Sequence, residues 1–159
     1  MTGSTFDNSA NNRYYQEVNP LIRELVEHIK VIFSSGSELM DEDDQFERKK
    51  ILNRTNFEKE TIKLLIGKLN EIWPEGKTIY QEFEVMNQTL SDLIQNAFDW
   101  SELINGPDFS VFIPKMKDKN DNYIQNNREL AARSDAHIFK ADELLKKSLG
   151  LDLMELFNE

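Results

Sequence analysis

The feature that most constrains the fold is a periodic run of apolar residues between positions 79 and 104. The residues in this run recur at alternating steps of four and three: Ile79, Phe83, Met86, Leu90, Leu93, Ala97, Trp100 and Ile104. Because an α-helix turns once every ~3.6 residues, this spacing places the side chains on one stripe of a helix about 40 Å long. Such a stripe must be buried against other helices, so the sequence predicts a helical bundle.

A first helix is predicted from residue 19 to residue 36. Asn19 is a favourable cap, and Pro20 is typical of the first helical position. The apolar positions that follow, at steps of three and four, are Ile22, Leu25, Ile29 and Ile32. The sequence Ser34-Ser35-Gly36 is expected to end this helix.

A second helix is predicted to begin in an acidic segment, residues 37–47, and to end at Pro74. Its apolar stripe is predicted to be Ile51, Thr55, Glu58, Ile62, Leu65, Leu69 and Ile72, widened by Leu52, Phe57, Ile66 and Trp73. Thr55 and Glu58 also have the spacing of a capping box, which predicts a break at that point. At the start of the third helix, Thr78 and Gln81 have the same spacing.

A long connection is predicted over residues 106–122, because Pro107 and Pro114 interrupt any helix there. Its apolar centre, residues 109–113, either contacts a partner or covers one end of the core. A fourth helix is expected from Tyr123 to about Leu149, with Gly150 as its C-terminal cap.

The last residues, 151–157, have the pattern of one or two helical turns capped by Asp152. This segment either closes the bundle or docks into a groove of a partner. The expected fold is therefore all-α: an antiparallel bundle of about four long helices, with a long loop before the last one. Residues 1–12 are predicted to be a flexible tail, and residues 13–159 to be one domain.

Composition narrows the classes of function. The chain has no Cys, no run of ~20 apolar residues and a net charge of −10. We therefore expect a cytoplasmic protein that does not span a membrane. Because its charge repels phosphate backbones, we expect no nucleic-acid partner and instead expect a basic protein partner.

No catalytic or cofactor-binding motif is apparent, so neither a cofactor nor catalysis is expected. The two histidines, His28 and His137, are interpreted as boundary residues. With no Cys, a zinc site would depend mainly on carboxylates, which is uncommon.

One alternative, an enzyme, rests on the spacing of four acidic residues. Glu24 and Glu27 form Glu-x-x-Glu, and Glu38 and Asp41 form Glu-x-x-Asp. Together they resemble the magnesium-binding pattern of all-helical nucleotide pyrophosphohydrolases. The resemblance implies a hard cation held by carboxylates from neighbouring helices. The spacer is shorter than in that family, and Gly36 interrupts it.

The leading hypothesis is a protein-binding module of the immunity, antitoxin or adaptor type. An acidic surface speeds association with a basic partner, and aromatic residues supply affinity. The candidate contact residues are Asp41, Glu42, Asp43, Asp44, Phe109 and Phe112. The alternative is that the aromatic residues belong to the core and that the acids only face solvent.

Self-association through the third helix is a second alternative. A heptad stripe can pair between chains as well as within one chain. Tyr80, Ile94 and Phe98 provide a partial second face for this purpose.

Overall fold

The structure, a computed structural model, describes the backbone of residues 8–159 and the side chains of residues 14–159. This part of the chain contains five α-helices and no strand: α1 (Asn8–Asp41), α2 (Gln45–Ile72), α3 (Lys77–Ile104), α4 (Pro114–Leu149) and α5 (Leu153–Phe157). The four long helices pack against one another, so the predicted all-α bundle is confirmed. Residues 1–7 of the predicted tail lie outside the described residues, and residues 8–12 belong to α1.

α1 is longer at both ends than the sequence predicts. It has Pro20 in its interior and continues through Gly36, so both predicted boundaries are wrong. A proline inside a helix costs about 3 kcal/mol, because one backbone hydrogen bond is lost. Val18 and Ile22 on either side of Pro20, and Leu39 beyond Gly36, are all fully buried. Burial of this apolar surface offsets the cost and keeps the helix continuous.

The acidic segment 37–47 is not the start of one helix, as predicted, but contains a turn between two helices. Its first part ends α1, and residues 41–44 form what we name the acidic turn. The side chain of Asp44 accepts a 2.8 Å hydrogen bond from the backbone N–H of Phe46 and so caps α2. Because the N-terminus of a helix is electropositive, a carboxylate is favourable at this position.

α2 runs without the predicted break. Thr55 donates a hydrogen bond to the carbonyl oxygen of Leu52 within the helix, 2.7 Å away, so it does not cap a new helix. Phe57, predicted to widen the core stripe, is 69% exposed. Phe57 lies outside the buried stripe that contains Ile62 and Leu65, so its ring faces solvent.

α3 spans nearly the predicted range and ends at the predicted stop after Ile104. Thr78 does not cap it, because the helix begins one residue earlier, without a side-chain cap. Phe83, Met86 and Leu90 are fully buried in the core. Of the proposed second face, Tyr80 and Ile94 are buried inside the bundle, and Phe98 is half-buried against the core. Self-association through α3 would therefore require the bundle to unpack.

α4 begins at Pro114, not at the predicted Tyr123. Proline at the first helical position loses no hydrogen bond, so this residue starts the helix instead of interrupting it. The connection from α3 therefore shortens to residues 105–113. The predicted cap at the other end is confirmed, because Gly150 has φ +67°, the left-handed conformation that favours glycine.

α5 closes one side of the bundle. The side chain of Asp152 accepts a 3.1 Å hydrogen bond from the backbone N–H of Glu155, as the predicted cap requires. Leu151, Leu153 and Leu156 are buried. Of the two predicted roles for residues 151–157, the structure therefore supports closure of the core.

The packing is centred on α3, which contacts α1, α2 and α4. α4 packs along α3 but makes few contacts with α1. Buried apolar residues from all five described helices form one core cluster. Within residues 8–159, no helix has both the length and the apolar content needed to cross a membrane.

We expect Leu90→Ala to destabilise the protein by about 2–5 kcal/mol, because it leaves a cavity at a fully buried position. Urea denaturation followed by circular dichroism measures the loss. Leu64→Ala on α2 is the matched control, since Leu64 is 70% exposed and its truncation should change stability by less than about 0.5 kcal/mol. Equal effects of the two substitutions would contradict the packing described.

Candidate functional site

The predicted acidic contacts lie in the acidic turn, but they are not equivalent. Asp41 and Asp43 are exposed. Asp44 caps α2, and the backbone carbonyl of Glu42 accepts a 3.2 Å hydrogen bond from Nη1 of Arg48. Glu42 is half-buried, so Asp41 and Asp43 are the most accessible carboxylates of the turn that do not cap a helix.

The start of α2 and the end of α3 are held together by Glu102. Its carboxylate accepts hydrogen bonds from Nε2 of Gln45, at 3.3 Å, and from Nη2 of Arg48, at 3.1 Å. The acidic turn precedes Gln45, and the connection 105–113 follows Glu102 almost directly. The structure therefore brings the two predicted parts of the site, the acids and the aromatic residues, to the same end of the bundle.

The apolar tip, which we define as Val111, Phe112 and Ile113, is exposed on the connection between α3 and α4. The Phe112 side chain is 91% exposed, and Val111 and Ile113 are both exposed as well. Phe109, the other predicted aromatic contact, is half-buried. The three residues of the tip therefore do not cover the core.

Lysines follow the apolar tip at the start of α4. Lys115, Lys117 and Lys119 are all exposed. Nζ of Lys117 lies 2.7 Å from Oδ2 of Asp121, one turn further along the helix. The start of α4 therefore carries cations next to the tip in sequence, one of them paired with an aspartate.

The acidic residues of the magnesium alternative do not converge. Glu24, Glu27, Glu38 and Asp41 all lie on α1, not on the neighbouring helices that we expected. Glu27 and Glu38 are eleven residues apart, about 16 Å along the axis. One cation cannot span that distance, and no group of three metal-binding side chains occurs among the residues described.

Each histidine pairs with a glutamate on a neighbouring helix. His28 on α1 is hydrogen-bonded to Glu58 on α2, and Nδ1 of His137 on α4 lies 2.5 Å from Oε2 of Glu82 on α3. Nζ of Lys140 lies 3.3 Å from the other oxygen of Glu82. The histidines therefore join helices at the edge of the core, which agrees with their interpretation as boundary residues.

The environment of Glu82 lowers its pKa. Desolvation by burial raises this pKa, but hydrogen bonds and charges from His137 and Lys140 outweigh that effect and hold it below the usual value of 4.5. The carboxylate therefore stays ionised to lower pH in the folded protein.

A groove that the sequence did not predict lies between α1, α4 and α5. Its volume is about 580 Å³, and its walls are mainly apolar. Phe33 comes from α1, Phe139 from α4, and Met154 and Phe157 from α5. These residues are far apart in the sequence, and the relative placement of α1, α4 and α5 brings them together to form the groove.

No protein-family model, curated protein or solved structure matches the chain.

We expect Glu82→Gln to lower the free energy of unfolding by about 1 kcal/mol near pH 6, because a charged hydrogen-bonding group is lost. The native pKa of this carboxyl is lowered, so its contribution is present above about pH 5 and disappears as the pH falls through the native pKa. Urea denaturation at a series of pH values measures the difference from wild type.

Glu84→Gln, on the exposed side of the same helix, is the control and should alter stability little. A difference between wild type and Glu82→Gln that stays constant from pH 6 to about pH 3 would show that the ion pairs of Glu82 do not stabilise the fold.

Proposed function

We propose that the protein is a non-catalytic binding module that contacts a basic protein partner through the end of the bundle that carries the acidic turn and the apolar tip. The observation that carries this proposal is the exposure of Phe112. Its ring is 91% exposed on a short connection, at the same end as the acidic turn.

The apolar tip is suited to supply affinity. Burying a phenylalanine side chain contributes about 1.5–3 kcal/mol, and aromatic residues are common among the strongest contacts in protein interfaces. Because so little of Phe112 is buried, the ring contributes little to the fold itself. Binding would give a use to apolar surface that otherwise lies in water.

The charges around the tip are suited to orient the partner. Asp41 and Asp43 are exposed on the side of the acidic turn, and the net charge of −10 attracts a basic protein from a distance. A basic patch on the partner would therefore lie against the acidic turn while an apolar pocket receives Phe112.

Two kinds of binding module agree with this surface. An immunity protein or antitoxin would block the activity of its basic partner, whereas an adaptor subunit would leave that activity intact. An assay of the partner with and without this protein distinguishes them.

The proposal predicts that the immobilised protein retains a specific basic protein from an extract of the cells that produce it. Phe112→Ala should raise the Kd for that protein, once purified, by about tenfold or more, because the apolar anchor is lost. Biolayer interferometry measures the affinity. Phe57→Ala is the matched control, because it removes an exposed ring on α2, away from the bundle end.

Changing Asp41 and Asp43 together to Asn should slow association by about tenfold at low salt and leave the dissociation rate nearly unchanged. The proposal fails if no basic protein is retained, or if the Phe112→Ala and Phe57→Ala variants bind the retained protein equally well.

A further inference from the structure

The bundle is incomplete between α1 and α4. α4 packs along α3 for much of its length, but only its C-terminal part contributes buried side chains, beginning at Ser134. α5 lies between residues 23–33 of α1 and the C-terminal part of α4, and next to it the groove remains open.

The groove has an apolar floor and exposed apolar walls. Ile138 is buried at its base, and the ring of Phe33 makes an edge-on contact with that of Phe157 at 6.2 Å between centroids. Phe139 on the opposite wall is 60% exposed, and Phe33 is 38% exposed. A volume of about 580 Å³ lies within the usual range of ligand-binding sites, which is roughly 300–1,000 Å³.

The uncompensated charge in the groove is negative. Lys30 lines it, but its ammonium group lies 3.3 Å from a carboxylate oxygen of Glu27 and donates a 3.1 Å hydrogen bond to the backbone carbonyl of Glu159. Asp135 on the other wall is exposed and has no ion pair among the residues that the structure describes. The groove therefore favours an occupant that carries a cation next to apolar side chains.

The shape of the groove favours a helix over an extended peptide. An extended peptide gains affinity by pairing with the edge of a sheet, and the described chain has no strand to offer one. α1 and α4 make few contacts with each other, and the space between them that α5 leaves open can receive a further helix at the usual 8–10 Å between helix axes.

From these observations we infer that the groove between α1, α4 and α5 binds a cationic amphipathic helix of a protein partner. Apolar side chains of that helix insert between Phe33 and Phe139, and an Arg or Lys lies beside Asp135. The inference rests on the proposed function and extends it. Phe33 is eight residues before Asp41, about 12 Å along α1, so one basic partner can contact both surfaces.

The test uses the full chain and a fluorescent 18-residue synthetic peptide with Leu at helical spacings of three and four and Lys at most other positions. Fluorescence anisotropy gives the Kd. A peptide of the same composition, scrambled so that no apolar face forms, measures the attraction that charge alone produces. The amphipathic peptide should bind at least about tenfold more tightly than the scrambled one.

Phe139→Ala should weaken binding of the amphipathic peptide by about tenfold, while Phe57→Ala should leave it unchanged. Phe57 is the matched control because its ring is exposed to a similar degree on a different helix. Asp135→Asn should weaken binding about threefold and reduce its salt dependence. Circular dichroism confirms that each variant is folded.

Equal binding of the two peptides, absence of binding, or equal affinity of the Phe139→Ala and Phe57→Ala variants overturns the inference. Binding that Phe112→Ala weakens and Phe139→Ala does not also overturns it, but leaves the proposed function at the bundle end intact. The proposed function is decided separately by the natural partner, so the two failures can be distinguished.

Discussion

Burial of the apolar stripe of α3 is the interaction on which the rest of the structure depends. Phe83, Met86 and Leu90 have no exposed surface, and the helix that carries them contacts each of the other three long helices. Two hydrogen bonds from α3 set the position of the neighbouring helices along it. The side-chain amide of Asn87 donates to the backbone carbonyl of Lys59 on α2, and the side-chain amide of Asn96 donates to the backbone carbonyl of Tyr123 on α4. Since hydrophobic burial is the dominant favourable term in folding, the positions of α1, α2 and α4 follow from this stripe.

The two surfaces that we propose for binding lie where the packing of helices around α3 ends. α3 holds α4, but α1 hardly touches α4, and α5 covers only part of the gap with Leu153 and Leu156. The remaining gap is the groove. At the end where α3 terminates, which also carries the acidic turn, the connection to α4 leaves Phe112 exposed. Both surfaces combine apolar side chains with acids that have no ion pair within the described part of the chain, which is why we propose a binding role and favour a basic partner.

Periodicity predicted the existence of the helices well and their ends less well. The helix over residues 79–104 and the caps at Gly150 and Asp152 depend on local spacing, and the structure has them as predicted. Of the predicted stripe, Leu93, Trp100 and Ile104 are only half-buried. The positions of Pro20 and Pro114 misled the prediction because each proline has two structural meanings. Burial of Val18 and Ile22 keeps α1 continuous through Pro20. Pro114 does not interrupt a helix, because it occupies the first position of α4.

The candidate site was predictable only in part. Asp41 and Phe112 stand out in the sequence because no apolar periodicity accounts for them. The groove could not be predicted, because Phe33 and Phe139 are distant in sequence and are brought together by the relative placement of α1 and α4. The exposure of Phe57 was missed for a related reason, since an apolar residue in a helix does not by itself reveal which side faces the core.

Native-state hydrogen exchange tests the central claim most directly, because it reports the free energy of opening at each backbone amide. We expect the slowest exchange in the middle of α3, around residues 83–97, and much faster exchange in the first half of α4, residues 114–133, where the structure places no buried side chain. Fast exchange throughout α3, or equally slow exchange in both segments, would contradict a bundle organised around α3 and open between α1 and α4.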